Sequence, residues 1–236
     1  MSKYKLSHHQ AISSALDNFS TEYLSENNII FGGGTRIALE INEYRESIDI
    51  DFLCPNKASY KAARSQITNV TLGKLVTKDF SYLRDIRADR YAVRTIIEHK
   101  ATAIKLEFVS FDNYNLKSLL DDSLFPVPFL DRSSCYYTKL LANSDRWTDY
   151  PYKDILDLLA MRSEWGVIPD DAINLAIEHY GRLIVVGSLI KALEDIGNNT
   201  EKYFEAAHEL TITPKYAKIL LDEYAPILLA EAKKEL

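Results

Sequence analysis

The chain has 236 residues, of which 47% are hydrophobic and 26% are charged. These proportions are typical of a folded protein with enough apolar side chains for one large domain or two modest ones. The amino-terminal segment lacks the uninterrupted apolar stretch of a signal peptide, and no later run approaches the roughly eighteen apolar residues of a membrane span. We therefore expect a soluble, cytoplasmic protein.

The net charge of -6 is unevenly distributed along the chain. Residues 1–125 contain 16 lysines and arginines and 16 acidic residues, whereas residues 126–236 contain 12 and 18. This balance argues against a surface that coats nucleic acid along its whole length. It leaves room for a local basic groove in the first half.

The two cysteines, Cys54 and Cys135, lie in unrelated sequence contexts. Neither belongs to a C-x-x-C pair, and no clustered histidines accompany them, so a zinc site is not indicated. We predict that both thiols are reduced and lie in or near the core.

The first elements alternate between helix and strand. Apolar residues at three- and four-residue spacing predict a helix over residues 7–26, and the short apolar run at 29–31 predicts a buried strand. Three glycines end that strand, and Thr35 can cap a short helix that ends near Tyr44. Alternating apolar and acidic residues predict a second strand over Ser47–Cys54.

The middle of the chain is less regular. We predict a helix over residues 59–70, whereas residues 71–90 fit neither period. Tyr91–Ile97 and Thr102–Phe111 have the pattern of two strands joined by a turn. Four arginines between positions 84 and 94 would form a phosphate-contacting ridge if that segment were helical, but the interleaved Asp85 and Asp89 favour a solvated charged face.

Helical spacing dominates after Pro126 and Pro128. We place the domain boundary there, which gives domains of residues 1–125 and 126–236. Glycines and prolines separate the predicted helices of the second domain, which cover residues 132–143, 152–165, 170–180, 182–196, 200–210 and 214–233.

Asp49 and Asp51 are the first candidates for chemistry. Residues i and i+2 of a strand point to the same face, so the two carboxylates would lie side by side. Mg²⁺ prefers oxygen ligands and is commonly held by one or two carboxylates together with substrate phosphates. Taken by itself, the pair is more often the solvated edge of an amphipathic strand.

The glycine turn favours the metal interpretation. Gly32, Gly33 and Gly34 allow backbone amides to approach an anion, and the helix that begins at Thr35 adds its partial positive charge. A simple strand-to-helix turn needs one glycine rather than three. The pattern has neither the G-x-G-x-x-G spacing nor the lysine of a P-loop, so many phosphate ligands stay open.

Glu107 is the candidate for a third carboxylate. It lies on the polar face of a predicted strand that could pair beside the strand of Asp49 and Asp51. The alternative, equally compatible with the spacing, is a surface salt bridge with Lys105.

These segments resemble a known family. Residues 32–39 followed by 45–52 are similar to the first signature of the AbiEii/AbiGii-type nucleotidyltransferases, which reads as a GG(S/T) turn, an apolar helix, Arg-x-Ser and Asp-hydrophobic-Asp-Phe. Residues 139–146 and 153–159 resemble the family's lysine helix and its (R/K)D-x-x-D-L helix. The chain departs by having Thr35 where serine is frequent and Lys153 where arginine is common, and both changes preserve the chemistry.

The family consists of toxins of abortive-infection and toxin–antitoxin systems within the DNA polymerase β superfamily. The resemblance implies an α+β fold, in which a polymerase β-like core with a small mixed sheet precedes a helical domain that completes the active-site cleft. It implies Mg²⁺ or Mn²⁺ bound by Asp49 and Asp51, and Glu107 is added as the third ligand from its position on the predicted strand. The expected contacts to the nucleoside triphosphate are Gly33, Gly34, Thr35, Arg45 and Lys139, with Asp154 supporting the lysine or the incoming hydroxyl.

Spacing alone does not decide the roles of Lys139 and Asp154 in the second domain. Lys139 could be a lysine that snorkels to the surface from an apolar helix. Asp154 could be a favourable partner of a helix dipole.

The resemblance implies transfer of a nucleotide from a nucleoside triphosphate to an acceptor hydroxyl. The expected acceptor is RNA, such as the 3′ end of a tRNA, and the expected regulator is an antitoxin encoded nearby. Two alternatives stay open: a protein-nucleotidylating enzyme of the same fold, and a nucleotide-binding or interaction protein without turnover.

Overall fold

A computed structural model describes residues 3–235, which form two compact units. The first, called the sheet unit, contains the residues up to Glu43 and Ser47–Asp131. The second, called the helical unit, contains Tyr44–Glu46 and the residues from Arg132 onward. The division therefore falls later than the predicted boundary at 125/126, and three residues from the first half belong to the helical unit.

The sheet unit contains eight strands and four α-helices, with a 3₁₀ turn at Gly73–Leu75. The helices are α1 (Ser7–Leu16), α2 (Thr21–Glu26), α3 (Gly33–Glu40) and α4 (Lys57–Ser65). The strands are β1 (Ile30–Gly32), β2 (Asp49–Cys54), β3 (Ser81–Tyr82), β4 (Arg87–Ala88), β5 (Ala92–His99), β6 (Thr102–Ser110), β7 (Ser118–Asp121) and β8 (Phe125–Leu130).

The strands form one mixed sheet in the order β3-β5-β6-β2-β1-β8-β7, with β4 paired to β5. The pairs β2/β6 and β1/β8 are parallel, and the others are antiparallel. The predicted mixed sheet is confirmed. Its centre is held by phenylalanines on the face opposite the acidic residues, and the Phe52 and Phe108 rings stack with centroids 5.1 Å apart.

Two differences from the sequence expectations have local causes. The opening helix is two helices, because the Ser20 hydroxyl caps a new one by accepting from the Tyr23 amide. Asn56 caps α4 in the same way through the Ser59 amide, so that helix begins earlier than predicted. The four arginines between positions 84 and 94 are exposed on β4, β5 and their connections, which agrees with the solvated charged face favoured by the sequence.

The prolines taken as a domain boundary lie inside β8. A proline has no amide to donate to a strand ladder, and it is tolerated where pairing is irregular. The β7/β8 register shifts between Leu119 and Asp121, beside Pro126 and Pro128. The two prolines therefore mark an irregular strand of the sheet unit, and β7 and β8 were not predicted.

The helical unit confirms the predicted helices. It contains α5 (Arg132–Arg146), α6 (Lys153–Trp165), α7 (Asp170–Tyr180), α8 (Arg182–Asn198), α9 (Thr200–Glu209) and α10 (Pro214–Lys218), which continues through a π-helical stretch (Ile219–Tyr224) into α11 (Ala225–Ala232). Within residues 3–235, no single helix is long and apolar enough to cross a membrane; α7 and α8 reach the required length and composition only together, bent by 114°.

Both cysteines are free and buried, as predicted. Burial raises the pKa of the Cys54 thiol to about 12. The protonated thiol behaves as a small core side chain.

Candidate active site

The turn between β1 and α3 approaches the carboxylate of Asp51. Gly33 has a φ of +69°, in the left-handed region that favours glycine. A β-carbon at this position would lie 2.2 Å from Oδ2 of Asp51. Gly33 is therefore required twice, once for the backbone conformation and once for the space that the carboxylate occupies.

Asp49 and Asp51 share one face of β2, as the alternation predicts. Both are half-buried, while Ile50 and Phe52 between and beyond them are buried in the core. β2 pairs antiparallel with β1, which places Asp51 opposite Gly32. The strand thus carries the carboxylates to the amino-terminal end of α3.

The Thr35 side chain ties the first turn of α3 to the start of β2. It is 1% exposed, and its hydroxyl donates to the main-chain oxygen of Asp49. The hydroxyl of Ser47 lies 2.8 Å from the Thr35 hydroxyl. The Thr35 hydroxyl is thus used to hold the start of β2, so the predicted phosphate contact of Thr35 would use its amide.

A buried histidine that the sequence did not single out supports this arrangement. The Ser47 amide donates to Nε2 of His9 at 3.0 Å, and Nδ1 of His9 lies 3.0 Å from Glu43 Oε1. These partners assign the proton of a neutral ring to Nδ1. Burial raises the pKa of Glu43, but the amides of Lys5 and Leu6 that donate to it outweigh burial, and the pKa is lowered.

Glu107 lies in register with Asp51, since β6 pairs in parallel with β2. The predicted pairing of the two strands is confirmed. The Glu107 carboxylate also forms the salt bridge with Lys105 that the sequence left as an alternative, with Lys105 Nζ at 2.5 Å. A second salt bridge joins Glu107 to Arg94 Nε at 2.8 Å. Burial lowers the pKa of Lys105, but Glu107 and the nearby Asp49 and Asp51 outweigh burial and raise it.

The donor set of the sheet unit fits a magnesium ion with two protein ligands. Among residues 3–235, no group of three Asp, Glu, His or Cys side chains could hold a metal. Mg²⁺ is usually held by one or two carboxylates, with waters and substrate phosphates completing its octahedron. Asp49 and Asp51 meet that requirement, and the participation of Glu107 stays a prediction.

Lys139 in the helical unit is buried and doubly paired. Its ammonium lies 2.8 Å from Asp154 Oδ1 and 2.7 Å from Asp157 Oδ2. It is therefore not a snorkelling surface lysine. Burial lowers the pKa of Lys139, but the charges of Asp154 and Asp157 outweigh burial and raise it.

The pairing extends in both directions from Lys139. Arg146 Nε lies 2.6 Å from Asp154 Oδ2, and Arg45 Nε lies 2.7 Å from Asp157 Oδ1. We call these five side chains the ion-pair chain. It alternates in sign and contains three cations and two anions.

Asp157 is the most heavily engaged member of the ion-pair chain. It is fully buried, and besides Arg45 and Lys139 it accepts a hydrogen bond from the Tyr44 hydroxyl. Burial raises the pKa of Asp157, but Arg45 and Lys139 outweigh burial and hold it well below its usual range. Arg45 and Asp157 are far apart in sequence, so spacing offered no signal for this contact.

The structure brings the predicted site residues together in two groups. The sheet unit contains the phosphate and metal candidates Gly33, Gly34, Thr35, Asp49, Asp51 and Glu107. The helical unit contains Arg45, Lys139 and Asp154. Sequence reasoning missed His9, Arg146 and the central role of Asp157. Of these, Arg146 and Asp157 lie within the segments that resemble the family signatures.

Two crystal structures from Helicobacter pylori share this fold over nearly the whole chain. A provisionally assigned nucleotidyltransferase is 15% identical with a TM-score of 0.57, and the match covers 99% of this chain and 98% of that one. JHP933 is 14% identical with a TM-score of 0.53, and the match covers 99% and 96%. At these identities the likeness defines the fold, which is that of the nucleotidyltransferases.

The family follows from the sequence match. Residues 15–230 match the family described as "Nucleotidyl transferase AbiEii toxin, Type IV TA system", and the chain belongs to it. It is therefore a nucleotidyltransferase of a toxin–antitoxin system, which implies an antitoxin partner. No curated protein matches the chain.

Proposed function

We propose that this nucleotidyltransferase transfers a nucleotide from a nucleoside triphosphate to an RNA hydroxyl, with the 3′ end of a tRNA as acceptor. Asp49 and Asp51 hold a Mg²⁺ or Mn²⁺ ion in this proposal. The observation that carries it is the approach of the Asp51 carboxylate to the glycine turn, where a β-carbon on Gly33 would lie 2.2 Å from Oδ2. A carboxylate and a phosphate-sized backbone turn meet there.

The glycine turn is the proposed triphosphate site. The amides of Gly33, Gly34 and Thr35 belong to the first turn of α3 and have no partner within the helix itself. They combine with the positive end of the helix dipole to attract an anion.

In the reaction, the carboxylates would hold the metal ion and the glycine turn would hold the triphosphate. When bound, the metal ion would neutralise charge on the phosphates and increase the nucleophilicity of the acceptor hydroxyl. The acceptor oxygen forms a bond to the α-phosphorus and gives up its hydroxyl proton to water. The bond from the α-phosphorus to the oxygen that bridges the α- and β-phosphates breaks, and pyrophosphate leaves with the electron pair. The protein mainly aligns these groups, as is usual in phosphoryl-transfer chemistry.

The ion-pair chain supplies a property that phosphate contacts by Lys139 and Arg45 would need. Asp154 and Asp157 raise the pKa of Lys139 against the effect of burial, so the ammonium stays charged at neutral pH. Asp157 likewise raises the pKa of Arg45 against the effect of burial. The phosphate contacts themselves stay predictions.

Transfer can be tested with the full chain, Mg²⁺, each α-labelled triphosphate, and either total tRNA or lysate protein. We expect label in tRNA with one triphosphate. Label confined to protein bands would replace the RNA acceptor by a protein side chain, and no label with any acceptor would contradict turnover.

Two variants test the metal ligands. We expect Asp51→Asn to reduce transfer more than about 100-fold, because it removes a charged ligand while preserving shape. Asp122→Asn, which changes an exposed carboxylate of the same unit, is the matched control and should retain activity. Calorimetric titration of the triphosphate, with and without Mg²⁺, separates a loss of triphosphate binding from a loss of catalysis. Transfer at the wild-type rate by Asp51→Asn would exclude the proposed role of Asp51 in metal binding.

A further inference from the structure

An open groove of about 680 Å³ lies in the sheet unit beside α4. We call it the α4 groove. It is located where the parallel strands β2 and β6 end, since the Phe111 amide donates to the Cys54 oxygen and the Ser110 amide donates to the Tyr91 oxygen. Ligands of sheets with parallel strands often bind beyond the carboxyl ends of those strands.

One wall of the α4 groove is a ridge of cations. Lys57, Lys61 and Arg64 are exposed and follow each other at positions i, i+4 and i+7, so they share one face of α4. Like charges at this spacing disfavour a helix, and Lys57 also lies at the positive end of the helix dipole. The stability of α4 does not account for this ridge, whereas an anionic ligand would.

Arg90 adds a fourth cation, and the lining contains a single carboxylate, Asp112. Asp112 lies 3.7 Å from Lys57, and both side chains are more than four-fifths exposed, so solvent screens the pair. The groove is therefore basic in a chain whose net charge is -6. Such local contrast attracts a polyanion to one place.

Aromatic side chains lie among the cations. Tyr91 is 56% exposed, and the Arg90 guanidinium lies 4.4 Å from its ring centroid. Phe111 lines the groove as well. Cations that follow a backbone, together with rings on which bases stack, are the usual composition of a site for single-stranded nucleic acid.

The α4 groove is separate from the candidate metal site, and neither Asp49 nor Asp51 lines it. Asp51 lies three residues before Cys54 on β2, a span of about 10 Å along the strand. A bound strand would have to extend at least this far to present its end to the carboxylates.

We propose that the α4 groove binds single-stranded RNA, with its phosphates on Lys57, Lys61, Arg64 and Arg90 and a base stacked on Tyr91. This inference rests on the proposed function for one point, that the bound strand is the acceptor. The binding itself rests on the charge and the rings alone.

Fluorescence anisotropy of a short labelled single-stranded RNA, with the full chain at several salt concentrations, tests the proposal. Lys61→Glu with Arg64→Glu should weaken binding at least about tenfold and reduce the slope of log affinity against log salt by roughly 1.4, about 0.7 for each lost phosphate contact. Tyr91→Ala should weaken binding about 5- to 150-fold through lost stacking.

A matched control carries the same change of charge outside the groove. Lys74→Glu with Lys78→Glu replaces two exposed lysines of the sheet unit and should leave RNA affinity within about twofold of the wild type. Equal losses in both double variants would overturn the groove assignment, since net charge alone would explain them. Thermal melting of all variants reports whether each one is folded.

The two proposals fail in different ways. If transfer to tRNA proceeds and the Lys61/Arg64 variant binds RNA as the wild type does, the groove assignment is wrong and the function stands. If RNA binding depends on the groove but no triphosphate is transferred to RNA, the groove stands and the proposed acceptor is wrong. If an RNA duplex binds as tightly as the single strand and Tyr91→Ala has no effect, the stacking contact is excluded.

Discussion

Replacing Gly33 by alanine should disable the site more than it destabilises the fold. The new β-carbon would lie 2.2 Å from Asp51 Oδ2 and 3.0 Å from the Asp51 Cβ and Cγ atoms. The carboxylate is the far end of a flexible side chain, so it can rotate away. That rotation removes it from the position in which we propose it binds metal.

The expected effect of Gly33→Ala has two parts, a loss of stability and a loss of activity. A φ of +69° costs alanine about 1–2 kcal/mol relative to glycine, which in a chain of this length corresponds to a decrease in melting temperature of roughly 2–8 °C. Loss of a group that only orients a metal ligand typically costs about 10- to 100-fold in metal affinity or activity, and displacement of the ligand itself should cost at least as much. We therefore expect a folded protein with transfer reduced by at least about tenfold.

The assay measures initial rates of transfer to tRNA over a range of Mg²⁺ concentrations, with the triphosphate that the wild type accepts. Gly33→Ala should require more Mg²⁺ for half-maximal rate. Urea unfolding, monitored by circular dichroism, gives the accompanying change in stability.

Gly73→Ala is the control, because Gly73 has a φ of +57° and an added β-carbon would contact the Gln66 carbonyl oxygen at 2.4 Å. It should lose stability without a change in the Mg²⁺ dependence of the folded enzyme. A Gly33→Ala protein that keeps the wild-type rate and Mg²⁺ dependence would refute the reasoning.

Three further predictions concern the ion-pair chain and the first turn of α3. Asp157→Asn should reduce the free energy of unfolding by about 3–5 kcal/mol in urea titrations, because it leaves the buried Arg45 without a counter-charge and Lys139 with Asp154 alone. Folding lowers the pKa of Asp157, so the ionised carboxylate stabilises the folded protein fully above about pH 4. This stabilisation is lost as the pH falls toward the pKa of Asp157 in the folded protein, and in that range the stability of the wild type should fall more steeply than that of Asp157→Asn. Thr35→Val should cost about 1–3 kcal/mol and reduce transfer, because the Asp49 carbonyl loses its donor.

Each of these predictions has its own control. Asp112→Asn breaks an exposed pair and should leave unfolding unchanged, so an equal effect there would remove the burial argument. Parallel acid titrations of wild type and Asp157→Asn would contradict the assigned pKa direction. Thr35→Ser keeps the hydroxyl and should retain activity; a loss in Thr35→Ser equal to that in Thr35→Val would contradict the assignment of the effect to the hydroxyl.

Local patterns predicted the elements of the candidate site well. The alternation along residues 48–52 placed Asp49 and Asp51 on one face, and the same logic put Glu107 on the polar face of a strand beside them. The opening helix was wrong because Ser20 starts a new helix within an apolar pattern that continues across the break. The irregular strand β8 was missed because its prolines are typical of a boundary.

What the sequence by itself determined is local: the glycine turn, the face of the acidic strand, the helices after Asp131, and the family signatures in which they occur. What only the tertiary structure decided is which charged groups meet. Periodicity identifies the face of one element, but the partner on that face depends on strand order and helix packing. For that reason Glu107 could be placed beside Asp51 as a possibility, whereas the contact of Arg45 with Asp157 and the approach of Asp51 to Gly33 required the fold.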